Sequence, residues 1–185
     1  MPETFTFQVL MNMNLLQQLS SISCFVFDMD GVLTDGTLLV LPDGVMARKM
    51  NIKDGYALQL AVKKGYTVFV ISGGNSPEAK DRLFKLGVEQ VWMGVKDKLS
   101  LLKTELALKQ IPLSQVLYMG DDMPDLAVMQ AVGFACCPAD AANDIKLVSN
   151  YISAFKGGEG CVREVMEQVL KLRGDWDLES GIAAK

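Results

Sequence analysis

The chain has 185 residues, half of them hydrophobic and 22% charged, with a formal net charge of −4. That size and balance fit one soluble domain with a real core, and no apolar run approaches the ~18–20 residues that span a bilayer. The mild acidity, with no basic stripe interleaved with aromatics, argues against nucleic acid as a partner, and a membrane is not expected either. No histidine occurs, so every scheme built on an imidazole base is excluded, and acid–base chemistry falls to carboxylates, lysine or tyrosine. Cys24, Cys136, Cys137 and Cys161 form no C-x-x-C pair and read as buried, reduced thiols. No Lys or Arg precedes Arg48, so the basic start of a signal peptide is missing and a cytoplasmic location is expected.

In chain order, residues 1–20 read as an N-terminal arm or short helix ahead of a domain spanning 21–173. Short β-rich apolar runs predict strands at Cys24–Phe27, Thr67–Ile71, Gln90–Met93, Val116–Met119, Phe134–Cys136 and Tyr151–Ser153. Segments of helical period lie between and after them, at Asp54–Lys64, Ser76–Leu86, Lys96–Gln110, Pro124–Ala131 and from Cys161 to about Leu172. This alternation argues for an α/β fold with a parallel sheet. One stretch breaks it: Thr37–Leu41, Pro42-Asp43-Gly44 and Val45–Met50 read as a β-hairpin (37–50) inserted directly after the first strand. From Gly174 the chain is polar and rich in small residues, and 174–185 is expected to be a flexible tail.

Each polar cluster follows a predicted strand, the edge where open α/β sheets bind ligands. Asp28-Met29-Asp30-Gly31 follows the first; its two carboxylates can diverge toward a metal and a leaving group, or the segment is simply an Asp-Gly turn. Ser72-Gly73-Gly74 offers a hydroxyl and glycine amides ahead of a helix, a phosphate cradle that is also an ordinary strand-to-helix turn. Lys98, with Lys96 as its rival, could neutralise an anion or sit solvated on the surface. Asp121, Asp122 and Asp125 put three carboxylates within five residues, which suits a hard cation such as Mg²⁺; Asp122 would also serve as a helix cap before Pro124.

Taken together, Asp28-x-Asp30, Ser72, Lys98 and Gly120-Asp121-Asp122-x-x-Asp125 resemble the four motifs of the haloacid dehalogenase superfamily. The likeness is closer still to its cap-less phosphatases of 3-deoxy-D-manno-octulosonate 8-phosphate (KDO 8-phosphate). It runs from about Ser23 to Leu172, through Asn51-Ile52-Lys53-Asp54-Gly55 and Gly157-Gly158-Glu159-Gly160-Cys161-Val162-Arg163-Glu164. The resemblance implies a three-layer, Rossmann-like parallel sheet with the hairpin in place of a cap domain. It implies a Mg²⁺-dependent phosphomonoester hydrolase in lipopolysaccharide biosynthesis, assembled as a homotetramer through its hairpins, with the Arg163 segment reaching across an interface.

The same resemblance assigns roles. Asp28 is the nucleophile that forms an aspartyl-phosphate, and Asp30 the acid and then base. Ser72, Gly73 and Lys98 bind the phosphoryl group. The metal is held by Asp28, the Asp30 carbonyl and Asp121, with Asp122 and Asp125 behind them. Asn51, Ile52, Lys53, Asp54, Gly55, Arg82 and Arg163 contact substrate. Three positions depart from the pattern: Gly74 and Gln59 stand where arginine is usual, and Glu159 where a basic residue is common. Glu159 is similar to the phosphatases of nine-carbon KDN and N-acylneuraminate 9-phosphates, and broad sugar-phosphate tolerance is a further alternative. A catalytically silent binding module and a response-regulator receiver are the other classes; the receiver places its phosphoacceptor after the third strand, not the first.

Overall fold

The computed structural model describes residues 15–176. Residues 15–21 are helical (α1), with Leu19 buried; the rest of the expected arm lies outside the described residues. The sheet strands that follow are β1 Cys24–Phe27, β4 Thr67–Ile71, β5 Gln90–Trp92, β6 Val116–Met119, β7 Phe134–Cys137 and β8 Tyr151–Ile152. Strands β2 Leu39–Val40 and β3 Met46–Ala47 make the separate hairpin. The helices are α2 Ile52–Lys63, α3 Pro77–Lys85, α4 Lys98–Lys109, α5 Leu126–Met129, α6 Asn143–Val148 and α7 Cys161–Leu172.

Six parallel strands run in the order β5-β4-β1-β6-β7-β8. Numbered along the chain this is the 3-2-1-4-5-6 order of a doubly wound sheet, and its strand order reverses between β1 and β6. All residues of β1, β6 and β7 are buried, as expected for strands covered on both faces. Alternation divides them between two cores. Phe25, Phe27, Leu117 and Met119 face α1, α2, α3 and α7. Cys24, Val26, Val116 and Tyr118 face α4, α5 and α6. The result is the three-layer α/β architecture expected, with a hairpin after β1 and no cap domain among the described residues.

Several local expectations shift. The segment expected as one helix from Pro124 is a 3-10 turn at Met123–Asp125 followed by the single turn of α5. Helix α6 was not anticipated: it buries only Ile145, too little to leave a helical period. Helix α2 starts at Ile52, because the Asn51 side chain caps it by accepting the Lys53 N–H at 2.9 Å. The hairpin strands are shorter than expected, joined by a 3-10 turn at Pro42–Gly44 and closed at the base by a Thr34–Met50 pairing. The expected tail is anchored at its start: Asp175 accepts the Tyr66 hydroxyl at 2.6 Å, and Trp176 packs edge-on to Tyr56. Residues 177–185 lie outside the described residues.

The glycine-rich segment before α7 lies directly against the loop that leaves β1. A Cβ on Gly157 would fall 1.9 Å from the Gly31 carbonyl oxygen, and the Gly158 N–H donates to the Val32 carbonyl at 2.9 Å. Only glycine permits so close a backbone approach. Residues far apart in sequence thereby brace the turn that carries Asp28 and Asp30.

Candidate active site

Asp28 leaves the end of β1, with its N–H donated to the Met119 carbonyl at 3.0 Å, so its place is set by the sheet itself. The chain then turns tightly through Met29–Leu33, where Gly31 takes a φ of +91°. A Cβ on Gly31 would lie 2.0 Å from Asp121 Oδ2, so the carboxylate that follows β6 sits over bare backbone after β1. One oxygen each of Asp28, Asp121 and Asp125 falls within 4.8 Å of the others. Two strand ends on either side of the switch point thus bring distant acids to one place.

Lys98, the first residue of α4, binds two of these three carboxylates. Its Nζ donates to Asp28 Oδ1 and to Asp125 Oδ1, each at 2.7 Å, and the side chain is buried. Asp125 also accepts the Tyr118 hydroxyl at 2.5 Å and the Asp121 N–H at 3.1 Å. Its carboxylate therefore holds Lys98 rather than facing the cleft openly. Asp122 is exposed and caps the turn by accepting the Met123 N–H at 2.8 Å. Ser72 is buried, and its Oγ accepts the Gly74 N–H at 3.0 Å. Asp28, Asp30, Ser72, Gly73, Gly74, Lys98, Asp121, Asp122 and Asp125 all line one cleft of about 390 Å³, so the four sequence clusters converge.

Arg48 was not singled out by its sequence context. Its Nε and Nη2 donate to the two oxygens of Asp30 at 2.7 and 3.2 Å, and its Nη1 donates to the Met46 carbonyl at 3.1 Å. The side chain is only 6% exposed, so the hairpin is pinned over the site by a sheltered bidentate pair. A Cβ on Gly74 would lie 2.8 Å from Asp30 Oδ2 and 3.2 Å from Arg48 Nη2, which leaves a larger side chain no room while Arg48 stands there. Alternation just past β3 puts Arg48 on the face of Met46 and Met50, but nothing in it points to Asp30. Tyr118 was missed for a different reason: it looks like one more core residue of an apolar strand.

Among the other expected substrate contacts, Asn51, Asp54 and Arg163 have partners within this chain. Asn51 caps α2 and donates from Nδ2 to the Gly158 carbonyl at 3.2 Å. Asp54 is buried and accepts the Arg163 N–H at 2.8 Å, capping α7 across the core, while its Oδ2 has no partner. Arg163 stacks on Tyr56 and Trp176, 5.5 and 5.2 Å from the ring centroids, and pairs with Glu167. Lys53 and Glu159 line a groove beside α7, away from Asp28. Ile52 and Arg82 line a cavity of about 420 Å³ together with Arg48, the partner of Asp30, and Gly55 packs against the Arg82 guanidinium. Gln59 donates from Nε2 to the Gly55 carbonyl at 3.5 Å.

Electrostatics single out the same group. Burial and then the neighbouring Asp125 raise the Asp28 carboxyl to about 6, although Lys98 opposes the shift. Burial, followed by Asp28 and Asp125, raises Asp121 to about 8. Burial works against the charge on Lys98, yet the two carboxylates outweigh it and raise its pKa. An all-oxygen set of crowded, buried carboxylates, with one ammonium among them, fits a hard divalent cation such as Mg²⁺.

Comparison with known proteins agrees. Residues 94–165 match the family of haloacid dehalogenase-like hydrolases. The chain is 31% identical over 170 residues to the 3-deoxy-D-manno-octulosonate 8-phosphate phosphatase KdsC of Yersinia pestis, covering 92% of this chain and 91% of that one. It superposes with a TM-score of 0.83 and 33% identity on the 3-deoxy-D-manno-octulosonate 8-phosphate phosphatase of Moraxella catarrhalis, crystallised with magnesium, phosphate and KDO (86% of this chain, 91% of that). On the cobalt-bound phosphatase YrbI of Haemophilus influenzae the TM-score is 0.81 at 29% identity (85% and 92%). Fold, site and relatives together define a Mg²⁺-dependent phosphatase of the haloacid dehalogenase class. Within that class, the chain belongs to the cap-less KdsC-like family.

The raised carboxyls give a signed expectation. Asp28 and Asp121 bind protons more tightly folded than unfolded, so their stabilising contribution is complete below about pH 4 and is lost as pH rises through about 6 and about 8. In chelator, the melting temperature should therefore drop between pH 5 and 8.5, and the gain on adding Mg²⁺ should widen over that range. Asp121→Asn should flatten the chelated profile. Differential scanning calorimetry reads both, and a chelated protein whose melting temperature climbs over that interval would contradict the assignment.

Proposed function

We propose that this phosphatase removes phosphate from a 2-keto-3-deoxy sugar acid phosphate, KDO 8-phosphate first among them, through an aspartyl-phosphate on Asp28. The observation that carries the reading is the meeting of Asp28, Asp121 and Lys98 in one cleft, in a chain whose relatives bear that activity in their names.

In this reading Asp28 attacks phosphorus in line, and the bond from phosphorus to the sugar oxygen breaks. Asp30 gives a proton to the departing alkoxide, a role that requires Arg48 to leave the bidentate pair that favours the carboxylate. It then takes a proton from the water that cleaves the acyl phosphate. Ser72, the Gly73 amide and Lys98 hold the phosphoryl oxygens. Mg²⁺, which the carboxylates of Asp28 and Asp121 and the Asp30 carbonyl would hold, supplies charge that offsets repulsion between carboxylate and phosphate. Asp125 keeps Lys98 in place, and Asp122 shapes the turn.

Sugar identity turns on few contacts. Gly74 leaves its place beside Asp30 to Arg48, so a guanidinium is present there even though position 74 lacks one. Released from Asp30, that guanidinium would suit an acidic sugar. Gln59 and Glu159 remain unlike the KDO 8-phosphate pattern, which keeps KDN and N-acylneuraminate 9-phosphates, or broad tolerance, as the second reading. Among the described residues no helix is long and apolar enough to cross a membrane, and a cytoplasmic role in lipopolysaccharide biosynthesis belongs to the first reading.

The hairpin offers Leu39 and Val40 at 64% and 68% exposure, with Val45 and Met46 half exposed. An apolar face of that kind supports assembly through hairpins into a homotetramer. Arg163, held by its own chain, has a weaker case for reaching a neighbour's site.

Asp28→Asn should abolish turnover of p-nitrophenyl phosphate while leaving the melting temperature near that of the parent; substantial residual activity would remove covalent catalysis. The ratio kcat/KM should rank KDO 8-phosphate above KDN 9-phosphate and N-acetylneuraminate 9-phosphate, and the reverse order would move the assignment to the nine-carbon acids. Light scattering should give four times the chain mass, whereas a fully active monomer at low concentration would refute the assembly.

A further inference from the structure

Tyr118 is the largest fully buried side chain among the described residues. It stands in β6 among Cys24, Val26, Phe69 and Ile71, where phenylalanine would pack equally well. A hydroxyl in such surroundings costs free energy unless it finds an acceptor. Here it donates to Asp125 Oδ1 at 2.5 Å, the same oxygen that receives Lys98 Nζ at 2.7 Å. The other oxygen of Asp125 accepts the Asp121 N–H at 3.1 Å. Two neutral donors and one cation thus fix both ends of a carboxylate that is 1% exposed.

The consequence reaches Asp28 through Lys98. An ammonium has three N–H donors. Lys98 spends one on Asp28 and one on Asp125 at equal distances, which leaves the third for a phosphoryl oxygen. A cation shared between two carboxylates moves toward whichever carries the less satisfied charge. With Lys98 as its sole donor, Asp125 Oδ1 would draw the ammonium away from Asp28. The Tyr118 hydroxyl takes up part of that charge and keeps the sharing even.

We infer that Tyr118 is a positioning residue for phosphoryl transfer, setting through Asp125 where Lys98 stands beside the nucleophile. The inference rests on the phosphatase chemistry common to any phosphomonoester and is independent of which sugar is cleaved.

Tyr118→Phe removes one oxygen and keeps the ring. With p-nitrophenyl phosphate and saturating Mg²⁺, kcat should fall about ten-fold, the scale of one lost hydrogen bond to a charged group, while KM stays within about two-fold. Inhibition by vanadate, which takes the geometry of the transferring phosphoryl group, should weaken in step with kcat, and inhibition by inorganic phosphate should hold. Because the hydroxyl acts through Asp125, its removal in an Asp125→Asn background should cost less than about two-fold in single-turnover rate. A Tyr118→Phe enzyme with kcat within about two-fold of the parent would overturn the inference. So would equal weakening of vanadate and phosphate, or additive losses in the double-mutant cycle.

Discussion

A single ammonium shared between two buried carboxylates is the interaction around which this molecule is arranged. Lys98 meets Asp28 and Asp125 at the same 2.7 Å, and Asp121 stands close by with no ion pair of its own among the described residues. Three carboxylates in so small a space repel one another, and burial deprives them of water that would screen the repulsion. One positive charge does not balance them. The folded chain therefore carries a built-in deficit of positive charge at the mouth of its sheet, which is the property that makes it a receptor for a divalent ion and, with it, for a phosphate.

The scaffold exists to hold that deficit together. Asp28 and Asp121 come from neighbouring parallel strands, β1 and β6, where strand order reverses, so register alone brings their backbones side by side. Glycines then remove what would keep them apart: Gly31 makes room for the Asp121 carboxylate, and Gly120 for Asp125. Arg48 supplies positive charge from the opposite side, on a hairpin whose strands are only two residues long. So short a hairpin has little stability of its own. Its attachment to Asp30 fixes the hairpin and the acid at once.

Much of this was legible in the sequence, for identifiable reasons. Strands such as Thr67–Ile71 and Val116–Met119 stand out because a strand covered on both faces must be apolar throughout. Asp28, Ser72, Lys98 and Asp121 stand out only as a set, because each alone also reads as a turn, a cap or a solvated charge, whereas their order along the chain does not. Helix α6 left no trace, since one buried isoleucine makes no period. Arg48 and Tyr118 were invisible because a lone arginine in a hairpin and a tyrosine in a core strand gain their meaning only from partners, 18 and 7 residues away respectively. Asp54 and Arg163 differ again: the family resemblance assigned them to substrate, and the single chain engages them in a helix cap and an aromatic stack.

The backbone of Gly157 and Gly158 presses on the loop after β1, and Cys161 Sγ donates to the Val32 carbonyl across a separation of 129 residues. The turn that holds Asp28 and Asp30 is thus backed by chain that follows the last of the four motifs: a polypeptide cut just after Asp125 would keep every motif and still lack the buttress behind that turn.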